Sequence, residues 1–461
     1  MFELVFDYCV VMDPATTLSD LQQQVLARAV AVEQAAPDGR DAAAVELIDE
    51  LESLKNTVAA AQARLAVALK GTRVEERAHL PAPLREKGIG TEVALARRES
   101  PYRGGIHLGL AVVLCRELPH TLAAMQAGWC SEWRALQIAQ GTACLSLADR
   151  RAIDAALMAD RSTTEGWGER RFRAEVDRRA YAADPTAAAA RHRKAVGERH
   201  TSLRPAADGM VRLSALLPLC EGVSVHATLS RAADSARAAG DERTRGQVMA
   251  DTLVTRALSE TTADGSPVVP VAVQVTVSDG VLLNLPGEQG DRAGWVGAPG
   301  VGPVPLCADD VRDLVARAHA EGLAWLRRLY VDPAGQLVAM DSQARTFPAG
   351  LAAFLEARDR TCRTPWCDAP VRHRDHVVPH ADGGATSAVN GQGLCEGCNH
   401  AKESAAWSTI VTAALARQHE VETTTASGRR YRSRAPGLPP PTSPATWPVH
   451  RMRWSDFVLA T

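Results

Sequence analysis

Cysteine and histidine side chains are concentrated in one stretch near the end of the 461-residue chain. Residues 362–403 contain four of the ten cysteines and four of the thirteen histidines. Cys362 and Cys367 are separated by four residues, and Cys395 and Cys398 by two. Four thiolates from two such pairs can surround one Zn²⁺ in the closed tetrahedral arrangement of structural zinc sites. The spacing therefore predicts a structural zinc ion held by these four cysteines.

The residues between the two cysteine pairs predict a small fold around that zinc. VRHRDHVV, residues 371–378, alternates as a strand does and is followed by Pro379. The glycine pair at 383–384 indicates a turn, and GQGLC at 391–395 can form a second strand. CEGCNHAKESAAW then reads as the start of a helix. The segment is expected to be a strand–strand–helix unit with zinc across its ends.

The same segment resembles a known family of enzymes. The pattern Cys-x4-Cys, Asp-His, Gly-Gly, Asn, Cys-x2-Cys-Asn-x2-Lys is similar to that of the HNH endonucleases, which have a ββα-metal active site. The resemblance covers about residues 355–408. It implies a hydrolase that cleaves phosphodiester bonds in nucleic acid, with DNA as the expected substrate. It also implies a catalytic Mg²⁺ or Mn²⁺ in addition to the structural Zn²⁺.

Individual roles follow from the same resemblance. His376 matches the general base, and a neutral imidazole with a pKa near 6.5 can take a proton from water at neutral pH. Asp375 matches the metal-binding position, where a carboxylate suits a hard divalent ion. Asn390 matches the middle residue of the motif, which holds the loop and orients the histidine.

The last residue of the motif departs from the family pattern. When the helix is aligned on Cys398 and Lys402, the final histidine of the family falls on Asn399, which gives an HNN variant. The amide oxygen of Asn399 can still bind a divalent ion. His400, one position further on, is the alternative ligand.

Other basic residues surround the motif. His373 and His380 lie outside it and are expected to support neighbouring side chains, contact phosphate or face solvent. Five arginines fall in the 17 residues 358–374 around the first cysteine pair, and they would suit either a phosphate backbone or a solvated face. These are Arg358, Arg360, Arg363, Arg372 and Arg374.

The spacing of hydrophobic residues divides the rest of the chain into two regions. Residues 18–200 have a helical pattern and predict a helical domain, with Ser19 and Gln22 at capping-box spacing. A long amphipathic helix is expected over 42–69. Further helical segments are expected at 105–116, 119–127, 131–144 and 147–160.

Residues 201–350 predict an α+β segment continuous with the helical domain. Two strands are expected around an Asp208-Gly209 turn, then two helices near 219–238 and 245–260. A short strand at 270–278 and a hairpin at 323–341 complete the segment. Residues 432–461 are rich in proline and favour an exposed polyproline II tail.

The region before residue 350 also has a family resemblance. LPHTLAAMQAGWCSEWRALQIAQGTACLSLADR, DERTRGQVMADTLV and RLYVDPAGQLV are similar to a large bacterial family in which a helical domain of unknown function precedes a C-terminal HNH domain. The predicted fold is therefore a mainly α N-terminal region with a small α+β segment, followed by a zinc-stapled ββα-metal domain.

Composition restricts the function classes. A net charge of -2 gives no indication of wrapping around nucleic acid, so DNA binding would have to depend on local charge. No apolar run approaches the roughly 20 residues of a membrane span, and MFELVFDYCVVMDP has no basic leader. The expectation is a cytoplasmic chain with reduced thiols. The alternative to a nuclease is a non-catalytic zinc module for nucleic acid or protein, which would tolerate loss of Asp375 and His376.

Overall fold

The computed structural model describes residues 17–258, 274–276, 294–298, 301–320, 341–342, 346–414 and 418–436. The described residues belong to two compact units. One contains the residues up to Leu69 together with Leu108–Ala188, and the other contains Lys70–His107 together with the residues from Ala189 onward. Each unit is described by itself below.

The region before residue 200 is helical, as predicted. Its helices in chain order are α1 (Leu18–Gln34), α2 (Arg40–Glu76), α3 (Ala82–Arg85), α4 (Ile89–Arg97), α5 (Pro101–Arg116), α6 (Pro119–Gln126), α7 (Glu132–Gly141), α8 (Leu147–Met158), α9 (Glu169–Ala183) and α10 (Pro185–Gly197).

The start of α1 differs from the expected one. Thr17, and not Ser19, is the N-cap: its hydroxyl accepts from the Asp20 backbone N–H at 3.2 Å, and the Asp20 carboxylate accepts from the Thr17 backbone N–H at 2.8 Å. Asp20 replaces the expected Gln22 because a carboxylate three residues after the cap completes the same reciprocal pair. The helix predicted over 42–69 extends to Glu76.

The first unit has its core between α6, α7, α8 and α9. Phe172, Ile138, Leu157 and Met125 are fully buried there. Asp154 of α8 is also fully buried and accepts hydrogen bonds from the backbone N–H groups of His120 and Thr121, at 2.8 and 2.9 Å. These N–H groups are in the first turn of α6, so a carboxylate from another helix satisfies them.

The α+β segment contains the predicted elements as far as it is described. Asp208 and Gly209 have positive φ angles at the turn between two paired strands. The residues 323–340 of the expected hairpin lie outside the described part of the chain. The elements are β1 (His200–Pro205), β2 (Val211–Leu216), α11 (Leu219–Ala238), α12 (Arg245–Leu258), β3 (Gln274–Thr276), β4 (Gly294–Ala298), β5 (Val301–Leu306), α13 (Ala308–Ala320) and β6 (Asp341–Ser342).

The cysteine-rich segment forms the expected strand–strand–helix unit. Strand β7 (His373–His376) pairs antiparallel with β9 (Gly391–Leu394), and helix α15 (Glu396–Lys402) follows. The short strand β8 (Thr386–Ser387) lies in the connection and pairs with β6. Helix α14 (Ala349–Asp359) precedes the unit, and its Leu351 and Leu355 are buried against Ala388.

Three further strands, which sequence reasoning did not find, follow the unit. They are β10 (Ser408–Ala413), β11 (Glu420–Thr424) and β12 (Arg430–Arg434), in one antiparallel sheet. The Thr409 hydroxyl donates to the Val377 carbonyl, which ties the sheet to the end of β7. The tail expected from residue 432 thus begins inside a strand, because its first residues pair with β11; residues 437–461 lie outside the described part.

Helix α4 packs beside this sheet within the second unit. Glu92 is buried and accepts from the Arg73 guanidinium at 3.2 Å and from the Ser427 backbone N–H at 3.0 Å. Nearby, Lys87 forms an ion pair with Glu403 at 3.2 Å, just after α15. Residues 70–97 therefore contact the segment that carries the cysteines.

Among the described helices, none is by itself long and apolar enough to cross a membrane. One sharply bent pair, Pro101–Arg116 with Pro119–Gln126, reaches the length and composition of a span when the two helices are taken together.

Candidate active site

The four predicted zinc ligands lie together. The ligand atoms of Cys362, Cys367, Cys395 and Cys398 are all within 4.8 Å of one another, and all four thiols are free. The Sγ of Cys367 is 3.6 Å from the Sγ atoms of both Cys395 and Cys398. Zinc–sulfur bonds of about 2.3 Å in a tetrahedron place sulfur atoms about 3.8 Å apart, so the cluster has the size of a zinc site.

Local structure explains how the cysteines converge. Cys395 is the N-cap of α15, and its sulfur accepts from the Cys398 backbone N–H at 3.4 Å. The other pair is in a tight loop in which Trp366 and Asp368 have positive φ angles on either side of Cys367. Hydrogen bonds from the Cys362, Cys367 and Cys398 thiols lower the pKa of Cys395. The same hydrogen bonds raise the pKa of Cys367 and Cys398, so the thiolate form is favoured at Cys395 and not at all four cysteines.

His376 lies at the end of β7, where it is 9% exposed. Its Nε2 is 2.8 Å from the Thr386 hydroxyl oxygen, and its ring centroid is 4.5 Å from that of Phe347. Burial lowers the pKa of His376 below its ordinary value. The negative charge of Asp375 raises this pKa, whereas positive charge at His380 and Lys402 lowers it. The imidazole is therefore held in one place and favoured as the neutral form.

Asn390 connects both ends of the loop that follows His376. Its side-chain oxygen accepts from the Val378 backbone N–H at 2.9 Å, and its amide donates to the carbonyls of Val378 and Ala385 at 3.0 and 2.9 Å. Gly384 is required in this loop because a Cβ there would overlap the Val378 carbonyl. The Asn390 side chain thus joins the Val378 and Ala385 ends of this loop.

Asp375 and Lys402 form a partly buried ion pair. The Lys402 ammonium donates to Oδ2 of Asp375 and also to the main-chain oxygen of His376. The Lys402 and Asp375 side chains are 12% and 24% exposed. The last turn of α15 is in this way bound to the end of β7.

The two alternatives for the final metal ligand have different surroundings. Asn399 is half-buried and lies three residues before Lys402, so the two share one face of α15. His400 is exposed, and its ring centroid is 6.4 Å from that of His373. His380 is exposed too, with its ring centroid 5.6 Å from that of His376.

Two of the five arginines expected at a phosphate backbone are in the interior instead. Arg358 and Arg363 are 6% and 4% exposed, and both pair with the fully buried carboxylate of Asp359, at 2.7 and 3.0 Å. The prediction that Arg358 and Arg363 contact phosphate is wrong. Both guanidinium groups are buried beside a carboxylate, so they cannot reach a nucleic acid at the surface. Arg374 pairs with Glu356, and Arg372 is exposed.

Sequence reasoning missed three residues that shape the site. Thr386 contacts the imidazole of His376 and follows the glycine pair by only two residues, in a segment interpreted as a turn. Lys402 belongs to the Cys-x2-Cys-Asn-x2-Lys pattern, but nothing in the sequence gives it a role in the site. Asp359 precedes the first cysteine by three residues, and it could have been found as the one carboxylate between Arg358 and Arg360.

The strand–strand–helix unit with its cysteine cluster is an HNH domain that fits a zinc-binding variant: residues 362–405 match the HNH endonuclease family model. Residues 17–359, well over half of the chain, match the model described as a domain of unknown function, DUF222. The chain belongs to the DUF222 family. None of the curated proteins and none of the solved structures matches it. The predicted fold class, a mainly helical N-terminal region before a small sheet-containing HNH domain, is confirmed.

Proposed function

We propose that this protein is an HNH-type endonuclease that hydrolyses phosphodiester bonds in DNA, with His376 as general base and one divalent ion. The observation that carries the proposal is the placement of His376, which is buried, favoured as neutral and fixed by Thr386 beside the carboxylate of Asp375. An HNH domain in itself implies a nucleic-acid substrate.

The chemistry of the base follows from its hydrogen bond. If Nε2–H donates to the Thr386 hydroxyl, Nδ1 has the free lone pair and can take a proton from the attacking water. Thr386 is then a positioning residue, because it selects the tautomer and the ring orientation. Asn390 supports the same geometry by holding the loop after β7.

The residues present fit a catalytic divalent ion with few protein ligands. Asp375 provides a carboxylate and Asn399 an amide oxygen, with His400 as the alternative to Asn399. Mg²⁺ is often bound by one or two carboxylates together with substrate phosphates, and Mn²⁺ accepts similar oxygen ligands. Such an ion supplies positive charge to the scissile phosphate and to the leaving oxygen.

Nicking of supercoiled plasmid DNA in Mg²⁺ or Mn²⁺ tests the proposal. His376→Ala is expected to lower the nicking rate by about 10²–10⁴-fold, the usual contribution of a general base, with zinc content unchanged. His380→Ala is the matched control, since it removes an exposed neighbouring imidazole and is expected to have a much smaller effect. A His376→Ala protein that nicks at the wild-type rate would remove this residue from the mechanism.

The ligand assignment has its own test. Asp375→Asn is expected to raise the divalent-ion concentration that gives half-maximal nicking. Asn399→Ala is expected to do the same and His400→Ala to have little effect; the opposite order would assign the ligand to His400.

A non-catalytic zinc module is the second candidate, and the ion pair of Asp375 with Lys402 favours it because that carboxylate already has a cation. A zinc-loaded protein that binds DNA and nicks neither DNA nor RNA with any divalent metal would support this candidate.

A further inference from the structure

Lys402 contacts one of the two residues proposed to bind the catalytic ion and shares a helix face with the other. Its ammonium contacts the Asp375 carboxylate, and its position on α15 is one turn from Asn399. It also contacts the main-chain oxygen of His376, so two groups of the site accept from one ammonium. A side chain that is only 12% exposed keeps that charge poorly screened by solvent.

The zinc cluster fixes the backbone from which Lys402 extends. Cys395 and Cys398 hold the first turn of α15, and Lys402 is in the last turn of this seven-residue helix. Zinc would therefore tie the start of α15 to the loop of Cys362 and Cys367. Separation of the ion pair then requires movement of the Lys402 or Asp375 side chain and not of the whole helix.

We propose that Lys402 competes with the catalytic divalent ion for Asp375 and thereby keeps the ion affinity of the free enzyme low. This inference rests on the proposed function. A carboxylate that is already neutralised by an ammonium attracts a second cation less, and two cations at one carboxylate repel each other. Binding of the ion must release the ammonium from Asp375.

Binding of Mn²⁺ to the full-length, zinc-loaded protein measures the competition directly, with free Mn²⁺ followed by electron paramagnetic resonance. Lys402→Met removes the charge and keeps an unbranched side chain, and it is expected to tighten Mn²⁺ binding at least tenfold. Asp375→Asn in the Lys402→Met background is expected to abolish the gain.

Lys87→Met is the matched control. It removes the ion pair with Glu403, just after the same helix, and it leaves Asp375 untouched. Mn²⁺ affinity is expected to stay within twofold of wild type in this variant. Affinity that is unchanged or weaker in zinc-loaded Lys402→Met would overturn the proposal and leave Lys402 as a clamp between α15 and β7.

If the Lys402→Met variant fails to fold, a measurement on the wild-type protein tests the same proposal. Acetylation of individual lysines is followed by mass spectrometry with and without Mg²⁺. The proposal expects Lys402 to be labelled faster when Mg²⁺ is present, and Lys87 to be unaffected. Labelling of Lys402 that is unchanged or slower in Mg²⁺ contradicts it.

The outcomes separate this inference from the proposed function. Equal Mn²⁺ binding by wild type and Lys402→Met, together with metal-dependent nicking, overturns only the competition. A protein that neither binds Mn²⁺ in either form nor nicks nucleic acid overturns the proposed nuclease as well.

Discussion

At the scale of single residues, the buried carboxylate of Asp359 joins several parts of the HNH domain. Its carboxylate is fully buried and accepts from Arg358, from Arg363 and from the Gly393 backbone N–H at 2.7 Å. The positive charge of Arg358 is the main factor that holds its pKa below the ordinary value against the effect of burial. Arg358 in turn donates to the Gly391 carbonyl on β9, so the cluster supports the strand opposite His376.

Asp359→Asn is expected to destabilise the HNH domain by about 3–5 kcal/mol, because it leaves two buried guanidinium groups without a carboxylate. Urea unfolding followed by release of zinc to a coloured chelator reports on this domain alone. Glu356→Gln is the control, since Glu356 pairs with Arg374 at the surface, where such a pair contributes about 0–1 kcal/mol. Equal urea midpoints for the two variants would contradict the assignment.

At the scale of elements, a buried histidine just before β11 connects the β10–β12 sheet to the HNH unit. His419 is 5% exposed; its Nε2 is 2.8 Å from the Val389 carbonyl and its Nδ1 is 3.4 Å from Arg363. The guanidinium can only donate, so Nδ1 accepts and Nε2 carries the proton. Burial lowers the pKa of His419 to about 4.

The low pKa of His419 predicts that the HNH domain loses stability in mild acid. In the unfolded chain this histidine binds a proton near pH 6.5, but in the folded domain only near pH 4, so protons favour unfolding between these values. The contribution of His419 to the free energy of unfolding is complete above about pH 6.5. It falls by about 3 kcal/mol as the pH drops to 4, at about 1.36 kcal/mol per unit of pKa difference.

Urea unfolding at pH 7 and pH 5 checks the expectation in wild type and in His419→Gln, whose amide can still donate to Val389. The difference between the two pH values is expected to be smaller in the variant. Because both proteins lose zinc through the same thiolates in acid, the comparison isolates the histidine. Identical pH dependence would show that His419 does not contribute.

At the scale of the whole molecule, zinc is expected to control the folding of one region only. One tightly bound zinc per chain is predicted, and its removal should unfold the sheet β10–β12 together with the HNH unit, since the two share buried contacts. The core of α6, α7, α8 and α9 has no cysteine from the cluster and should persist.

Hydrogen exchange after chelation, or in Cys395→Ser, is the measurement for this prediction. Residues 349–436 are expected to lose protection, while residues 119–158 keep it. Cys220→Ser removes an exposed cysteine outside the cluster and should retain zinc and full protection. Purified protein without zinc, or uniform loss of protection along the chain, would contradict it.

Features that depend on neighbouring residues could be predicted from the sequence. The helices before residue 200, the Asp208-Gly209 hairpin and the cysteine pairs follow from periodicity, turn chemistry and ligand spacing, all of which are local. The strands after residue 408 had a local signal as well. EVETTT and RRYRSR alternate on either side of Gly428, which has a positive φ angle, but the segment was not recognised as a hairpin.

Tertiary structure alone decided which charged groups meet. Asp375 contacts Lys402 across 27 residues, Arg363 reaches Ser433 across 70, and Glu92 accepts from Ser427 across 335. In the sequence, the buried arginines beside Asp359 look the same as exposed ones such as Arg372. Spacing fixes which side chains a helix or strand presents together. Burial and partner choice depend on packing between distant segments, and for that reason the zinc ligands could be predicted but the surroundings of His376 could not.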